Sequence, residues 1–174
     1  FTLKDFGGTD YFNLTLNTTD TADIVQSAAA KSIANNFTLT KGTYDANGNT
    51  TAITGTSTLD GGTYQAKTAT QTWTGNVTLS AGTVTASSGA INMGGDLTVS
   101  GGTFSGSSGN VDVDDVVAIS LGTLTAPSGT FTVGGNWSQT GGTFTPGSNR
   151  VTFDLASGTQ TLNSGGTSFA NITH

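Results

Sequence analysis

The sequence contains no cysteine and no glutamate, and only one histidine. Without cysteine the chain has no disulfides, no metal-thiolate sites and no thiol nucleophile. Its 5 Lys and Arg residues do not cluster, so there is no basic patch to bind the phosphates of a nucleic acid. The sequence also lacks a run of 18 apolar residues, which a membrane-spanning helix would need. We therefore expect no nucleic acid partner and no membrane insertion.

Titratable residues are also scarce, since charged residues make up 9% of the chain. General acid–base catalysis needs such groups within hydrogen-bond reach of one another. The single histidine is His174, and Arg150 is about two repeats away from Asp112. We expect that the chain is not an enzyme, and we predict no catalytic and no cofactor-binding residue.

Glycine, threonine and serine are abundant instead, and they follow a strict period. A Gly-Thr pair followed by an apolar residue recurs every 20 residues, beginning at Gly42, Gly62, Gly82, Gly102, Gly122 and Gly142. A fixed short period without insertions indicates that each repeat is one turn of a stacked coil, because a slip in one repeat would displace all later core positions.

Each repeat contains three short segments in which apolar residues alternate with polar ones, mostly hydroxyl residues, for example residues 97–99, 103–105 and 111–113. Alternation with a period of two is typical of a half-buried strand, and glycine-rich corners separate the segments. This pattern predicts an all-β fold, a three-sided parallel β-solenoid with about 20 residues per coil. We expect a right-handed coil, because roughly 98% of parallel crossovers are right-handed.

Equivalent apolar positions of successive repeats should stack into ladders that form the structural core. These positions are Leu39, Leu59, Leu79, Val99, Ile119, Tyr44, Tyr64, Phe104, Phe144 and Trp73.

The register loosens towards both ends of the sequence. We interpret residues 1–174 as a single module with irregular first coils at 1–36, six regular coils at 37–156, and the start of a next module at 157–174. Residues 22–33 have helix-forming character, which leaves either a helical turn or a bulged coil open. Because the sequence begins with neither methionine nor a signal peptide, we expect it to be a piece of a longer protein.

The two ends also resemble each other, since residues 9–16 have a pattern similar to that of residues 167–174. We therefore predict an end-to-end interface in which Asn171 and Ile172 occupy the place where Asn13 and Leu14 begin the next module. The expected partners are copies of the chain, or adjacent modules, arranged head to tail.

The densest acidic group consists of Asp112, Asp114 and Asp115, with Asp96 about one coil away. Oxygen ligands of this kind could bind calcium. The alternative is that Asp112 and Asp114 are the solvent-facing residues of a strand whose inward residues are Val111 and Val113. Calcium is the only cofactor that we consider.

Seven Asn-x-Ser/Thr sequons occur, at Asn13, Asn17, Asn36, Asn49, Asn76, Asn136 and Asn171. They would mark a secreted surface if they are glycosylated. Five of the seven align with the corner before the first strand of a repeat, where asparagine tolerates the left-handed conformation and can stack its amide on its neighbours. The corner role explains them without modification, and glycosylation stays open.

Rows of hydroxyl residues in the first strand, such as Thr78 and Ser80, are similar to the arrays of ice-binding solenoids. However, Asp60, Ala118 and Ser138 interrupt these rows. Solvated β-branched residues of ordinary strands are the alternative explanation.

The Gly-Gly-Thr-Phe elements at residues 101–104 and 141–144, and the closing stretch at 149–173, carry a resemblance that extends over nearly the whole chain. The chain resembles the Thr/Gly-rich β-solenoid repeats of giant secreted surface proteins of bacteria and archaea, the adhesin-like or filamentous-haemagglutinin-like class. The resemblance implies an extracellular or cell-surface location and a structural role in a filament or adhesin stalk. Recognition of glycans or of a cell surface is the alternative, followed by an ice-binding or phage-fibre-like role.

Overall fold

All 174 residues are described by a computed structural model, which contains strands and no helix. The strands are β1 (Thr2–Leu3), β2 (Leu14–Asn17), β3 (Ile24–Ser27), β4 (Lys31–Ile33), β5 (Phe37–Lys41), β6 (Thr43–Asp45), β7 (Thr51–Ile53), β8 (Ser57–Gln65), β9 (Gln71–Trp73), β10 (Val77–Thr85), β11 (Ile91–Met93), β12 (Leu97–Val99), β13 (Thr103–Ser105), β14 (Val111–Val113), β15 (Val117–Ile119), β16 (Thr123–Thr125), β17 (Phe131–Val133), β18 (Trp137–Gln139), β19 (Thr143–Thr145), β20 (Arg150–Phe153), β21 (Leu162–Asn163) and β22 (Asn171–Thr173).

These strands lie on three faces, and all of their pairings are parallel. The first face consists of β2, β5, the first parts of β8 and β10, β12, β15, β18 and β21. The second face consists of β1, β3, β6, the second parts of β8 and β10, β13, β16 and β19. The third face is a separate sheet with the eight strands β4, β7, β9, β11, β14, β17, β20 and β22. The predicted three-sided parallel β-solenoid is confirmed.

Successive coils pair in register, which stacks equivalent side chains. On the first face Leu59 pairs with Leu79, and Leu79 pairs with Val99. Inward residues alternate with outward ones along each strand, and a single core cluster contains 35 buried hydrophobic residues. All ten positions that the sequence predicts for the core are buried.

The corner between the first and second faces requires glycine. At Gly62 the backbone has a φ of +64°, in the left-handed region that glycine adopts without steric cost. A Cβ atom there would lie 2.5 Å from the carbonyl oxygen of Gly42 in the preceding coil. The close stacking of these corners explains why the Gly-Thr pair is the most regular element of the sequence.

The first irregular coil contains no helical turn, so the helical alternative for residues 22–33 is wrong. Strands β3 and β4 occupy this segment and place Val25 and Ile33 in the core. The extra residues of the coil form the exposed loop 18–23 between the first and second faces. Burial of inward residues and pairing with the next coil outweigh the weak helix propensity of the alanines at 28–30.

Candidate functional site

The four aspartates considered for calcium do not converge on a common site. The Oδ1 atom of Asp96 accepts a hydrogen bond of 3.1 Å from the amide of Val116, and Asp112 accepts one of 2.5 Å from the Thr132 hydroxyl. Asp114 and Asp115 are exposed at the following corner. No group of three or more His, Cys, Asp or Glu side chains could hold a metal ion. The structure therefore does not assemble the calcium site that the sequence suggests.

The environment of Asp114 is one of mutual repulsion between carboxylates. Partial desolvation at this corner raises the pKa of Asp114, and the negative charges of Asp112 and Asp154 raise it further. Carboxylates that repel each other in this way favour protonation of one member.

The two ends of the chain do not correspond in the way that the sequence suggests. Strand β22, which contains Asn171 and Ile172, pairs with β20 on the third face, whereas Leu14 pairs with Phe37 on the first face. The first-face strand at the C-terminal end is β21, in which Leu162 pairs with Trp137. The predicted equivalence of Asn13 and Leu14 with Asn171 and Ile172 therefore requires correction. Leu14 corresponds to Leu162. On the third face Ile172 lies in the column of Val151 and Lys31, whereas Tyr11 bridges to Ile33 and lies in the neighbouring column that ends at Phe153.

Asparagine and aspartate side chains connect successive coils at the corner before the first face. The Oδ1 atom of Asn36 accepts a hydrogen bond of 3.0 Å from the amide of Thr56, and Asn76 accepts one of 3.1 Å from the amide of Asp96. Asn136 accepts one of 2.7 Å from the amide of Thr161. Four sequon asparagines, at 13, 36, 76 and 136, lie at this corner rather than five, because Asn171 belongs to the third face.

An unbroken row of hydroxyl residues lies on the second face, where the sequence reasoning did not place it. Its members pair in register from coil to coil, namely Thr43, Thr63, Thr83, Thr103, Thr123 and Thr143. A second row runs beside it, with Thr85, Ser105, Thr125 and Thr145 in its last four coils. The signal was present in the sequence as the threonine of each Gly-Thr pair.

A buried ion pair lies inside the first coils, and the sequence reasoning missed it. The Nζ atom of Lys31 is 3.9 Å from Oδ1 of Asp10, and the two side chains are 0% and 3% exposed. The same carboxylate accepts hydrogen bonds from the amides of Phe6, at 3.0 Å, and Ser32, at 2.8 Å. Burial alone would raise the pKa of Asp10, but these amide hydrogen bonds and the charge of Lys31 outweigh it and lower the pKa. The pair holds residues 6–10 against the next coil.

Two further buried polar contacts lie in the following coils along the solenoid axis. The hydroxyls of Tyr44 and Thr51 share a hydrogen bond of 2.8 Å, and the Tyr64 hydroxyl donates one of 2.7 Å to Oε1 of Gln71. The Nε2 atom of Gln71 donates to the carbonyl of Ala69 at 2.9 Å. Burial raises the pKa of Tyr44 to about 12 and that of Tyr64 well above 10, so both remain protonated.

The surface offers no apolar cleft of the kind that small-molecule sites favour. The largest depression is lined by polar residues and glycine, among them Asn110, Thr130 and Arg150, and by no hydrophobic side chain. None of the chain forms a helix of the length and hydropathy that a bilayer span requires.

Comparison with known proteins adds no family to this picture. No protein family, curated protein or solved structure matches the chain. The structure by itself shows the architecture, a β-solenoid of tandem repeats.

Proposed function

We propose that the chain is a structural module of an extracellular filament, or of the stalk of a giant cell-surface adhesin of the filamentous-haemagglutinin-like class. Modules extend by end-to-end stacking of their coils. The observation that supports this most is the state of the terminal coils, whose strands have one unpaired edge each.

At the C-terminal end, Leu162 and Ile172 continue inward columns above Trp137 and Val151. They are nevertheless 41% and 47% exposed, because no coil lies above them. At the other end, β1 and β2 pair on one side only, with β3 and β5. Unpaired strand edges with apolar residues favour association with further strands.

The two ends are complementary in direction, since all strands are parallel. A second copy placed head to tail would bring Leu14 onto Leu162 on the first face, and on the third face it would bring the segment 9–11 onto the strand that contains Ile172. Such a contact joins different surfaces of the two copies and repeats without closure, which generates a fibre.

Sedimentation velocity and electron microscopy test this proposal. We expect concentration-dependent end-to-end oligomers with an axial repeat of about 43 Å, since about nine turns rise ~4.8 Å each. Ile172→Asp should abolish this association. The matched control Asn92→Asp, which adds the same charge in the middle of the third face, should not. A monodisperse monomer at high concentration, with both terminal coils folded, would contradict the proposal.

A second candidate function is binding to an ordered water lattice such as ice, through the second face. In the four coils from Thr83 to Thr145 its two outward rows contain only hydroxyl residues and no charge. Backbone pairing spaces these rows by ~4.8 Å along the axis and about 6.6 Å along each strand. An ice recrystallisation assay tests it: Thr103→Lys should remove inhibition, and Thr98→Lys on the first face should preserve it. Wild-type protein without inhibition excludes this function.

A further inference from the structure

We propose that Asn17 is an acceptor site for N-linked glycosylation, and that the folded solenoid shields the five sequons at Asn13, Asn36, Asn49, Asn76 and Asn136. The site would take a sugar from a glycosyl phosphate donor, either a nucleotide sugar or a lipid-linked glycan. That the chain meets a glycosyltransferase in the cell rests on the proposed extracellular role. The geometric argument for Asn17 does not depend on that role.

The structure separates the seven sequons by where their hydroxyl residue lies. In six of them the third residue is held in a strand that pairs with a neighbouring coil, namely Thr15, Thr38, Thr51, Thr78, Ser138 and Thr173. In the sequon of Asn17 the second and third residues, Thr18 and Thr19, follow the end of β2 and belong to no strand. A transferase must bind the sequon along its backbone, and a sequon that continues into a paired strand is not available for this. In the Asn17 sequon the strand pairing ends at Asn17 itself, and beyond it the sequon's only main-chain hydrogen bond to the next coil is that of the Thr18 amide, at 3.4 Å from the carbonyl of Lys41.

The middle residues reinforce this division. Leu14, Phe37, Val77 and Trp137 are the middle residues of four other sequons, and each is buried in the core. Thr51, the third residue of the Asn49 sequon, is itself 1% exposed and hydrogen-bonded to Tyr44. Engaging any of these sequons would require a coil to open.

The carboxamide nitrogens are the reacting groups, and some of them are already engaged. Nδ2 of Asn49 donates a hydrogen bond of 3.1 Å to the carbonyl of Ser27. Nδ2 of Asn76 donates one of 3.4 Å to Asp96. The side chain of Asn17 is exposed and has neither kind of partner.

The loop that contains this sequon is anchored in a way that leaves its reacting groups outside. The Thr18 hydroxyl donates to the carbonyl of Asp20 at 2.6 Å, and Lys41 donates from Nζ to the carbonyl of Thr19. Asn17 and Thr19 are exposed, whereas Thr18 is half-buried beside Gly42. Elsewhere a tight glycine corner connects the first and second faces. Loop 18–23 replaces this corner in the first coil, so a bulky group can be attached there.

The chemistry is a group transfer that balances without any redox partner. The Nδ2 atom of Asn17 forms a bond to the anomeric carbon of the donor sugar. The bond from that carbon to the phosphate oxygen breaks, and its electron pair leaves with the phosphate. One amide proton passes to a base of the transferase.

Site mapping on the folded protein tests the proposal. The probe is a soluble N-glycosyltransferase with UDP-glucose, chosen because it labels several sequons of an unfolded reference, the Trp73→Asp variant. We expect folded wild-type protein to acquire a hexose at Asn17 and none at the five shielded sequons, as mapped by peptide mass spectrometry. Asn17→Gln should abolish the labelling, and the matched control Asn36→Gln should leave it unchanged.

Two results would overturn the proposal. One is folded protein that stays unlabelled at Asn17 while the unfolded reference is labelled there. The other is folded protein labelled at Asn13, Asn36, Asn49, Asn76 or Asn136 as readily as at Asn17. Because the assay uses isolated protein, it does not depend on filament formation. A failure of the structural role and a failure of this site are therefore distinguishable.

Discussion

Two regions of the solenoid share one backbone coil and differ in what the coil encloses. In the polar-core region, residues 10–73, buried inward positions include Lys31, Thr51 and Gln71. In the apolar-core region, residues 77–137, the equivalent positions on the third face are Ile91, Val111 and Phe131. The parallel ladders tolerate both interiors because their hydrogen bonds come from the main chain. The interior has only to be filled and to satisfy its polar groups.

The change from one region to the other occurs in two columns together. Where the third face contributes Thr51 or Gln71, the second face contributes Tyr44 or Tyr64, whose hydroxyls meet them. One coil later the third face contributes Ile91 and the second face Val84, and the tyrosine hydroxyl disappears. In these two coils the polar residue of the third face is thus accompanied by a partner from the second face, whereas Ser57 Oγ and Trp73 Nε1 are buried without a hydrogen-bond partner.

The largest expected effect on stability comes from placing a lysine in the interior of the apolar-core region without a carboxylate partner. Val111→Lys places the side chain of Lys31 in the same column of the apolar-core region, where no carboxylate is present. An unpaired buried charge costs about 3–5 kcal/mol, so we expect loss of cooperative unfolding in a urea titration followed by circular dichroism. The control Asn92→Lys is outward on the same face and should cost under about 0.5 kcal/mol. Equal effects of the two changes would contradict the inward assignment.

The converse change removes a partner within the polar-core region. Asp10→Ala leaves Lys31 buried and unpaired, and the free energy of unfolding should fall by about 3 kcal/mol. The double variant Asp10→Ala with Lys31→Met replaces the pair by apolar groups and should recover most of this loss. A double variant as unstable as the single one would show that the contribution of Asp10 comes from its amide hydrogen bonds rather than from the pair.

These polar partners also mark where sequence reasoning succeeded and where it failed. The Gly-Thr period and the apolar alternation predicted the solenoid and its core, because each coil repeats the same local requirement. The hand of the coil stays a prediction from the crossover rule. The Asp10–Lys31 pair lies in the irregular coil, where no period connects its members.

The mistaken match of the two ends has a related cause. Leu14 and Ile172 stand in similar tripeptides, but all three faces use the same alternation of apolar and hydroxyl residues. Such a tripeptide therefore does not indicate its face. The face depends on the residues since the last corner, and the step from Trp137 to Leu162 departs from the 20-residue register.

A smaller effect should follow from breaking a neutral pair in the polar-core region. Tyr64→Phe leaves Oε1 of Gln71 without its donor, which should cost about 1–2 kcal/mol in a denaturant titration. Adding Gln71→Ile gives the combination of an aromatic and an aliphatic residue that Phe104 and Val111 provide at the equivalent positions of the apolar-core region. We expect this double variant to unfold at nearly the wild-type urea concentration, and a further loss of stability would argue against interchangeable interiors.

The pH dependence of stability should have opposite signs in the two regions. The pKa of Asp10 is below its ordinary value of 3.8 in the folded state, so its contribution is present above about pH 4 and is lost as the pH falls through the folded pKa. The pKa of Asp114 is raised, so the folded state gains stability as the pH falls through it. Urea titrations between pH 7 and 3 should show a flatter profile for Asp10→Ala with Lys31→Met. Asp114→Asn should show a steeper loss on acidification.

The smallest expected effect concerns the backbone of the polar-core region. Lys67 has a φ of +61°, and the equivalent corner near the C-terminal end uses Gly147, with a φ of +62°. Lys67→Gly relieves the left-handed strain and should raise the free energy of unfolding by up to about 1 kcal/mol. The control Lys67→Ala removes the 3.8 Å contact with Asp45 without relieving the strain, and it should give no gain. Equal stability of the two variants would show that the corner is not strained.

The in-register stacking of the apolar-core region has a consequence for how such a protein evolves. From Leu97 through Val117 to Trp137, each coil presents the same kind of contact to the coil before it and to the coil after it. Duplication or deletion of one whole repeat by unequal recombination would lengthen or shorten the solenoid by one coil. Every remaining contact between coils would be of the same type as before. The polar-core region lacks this freedom, because Gln71 reaches back to the carbonyl of Asn49 in the preceding coil. Inherited variation in length should therefore accumulate in the apolar-core repeats.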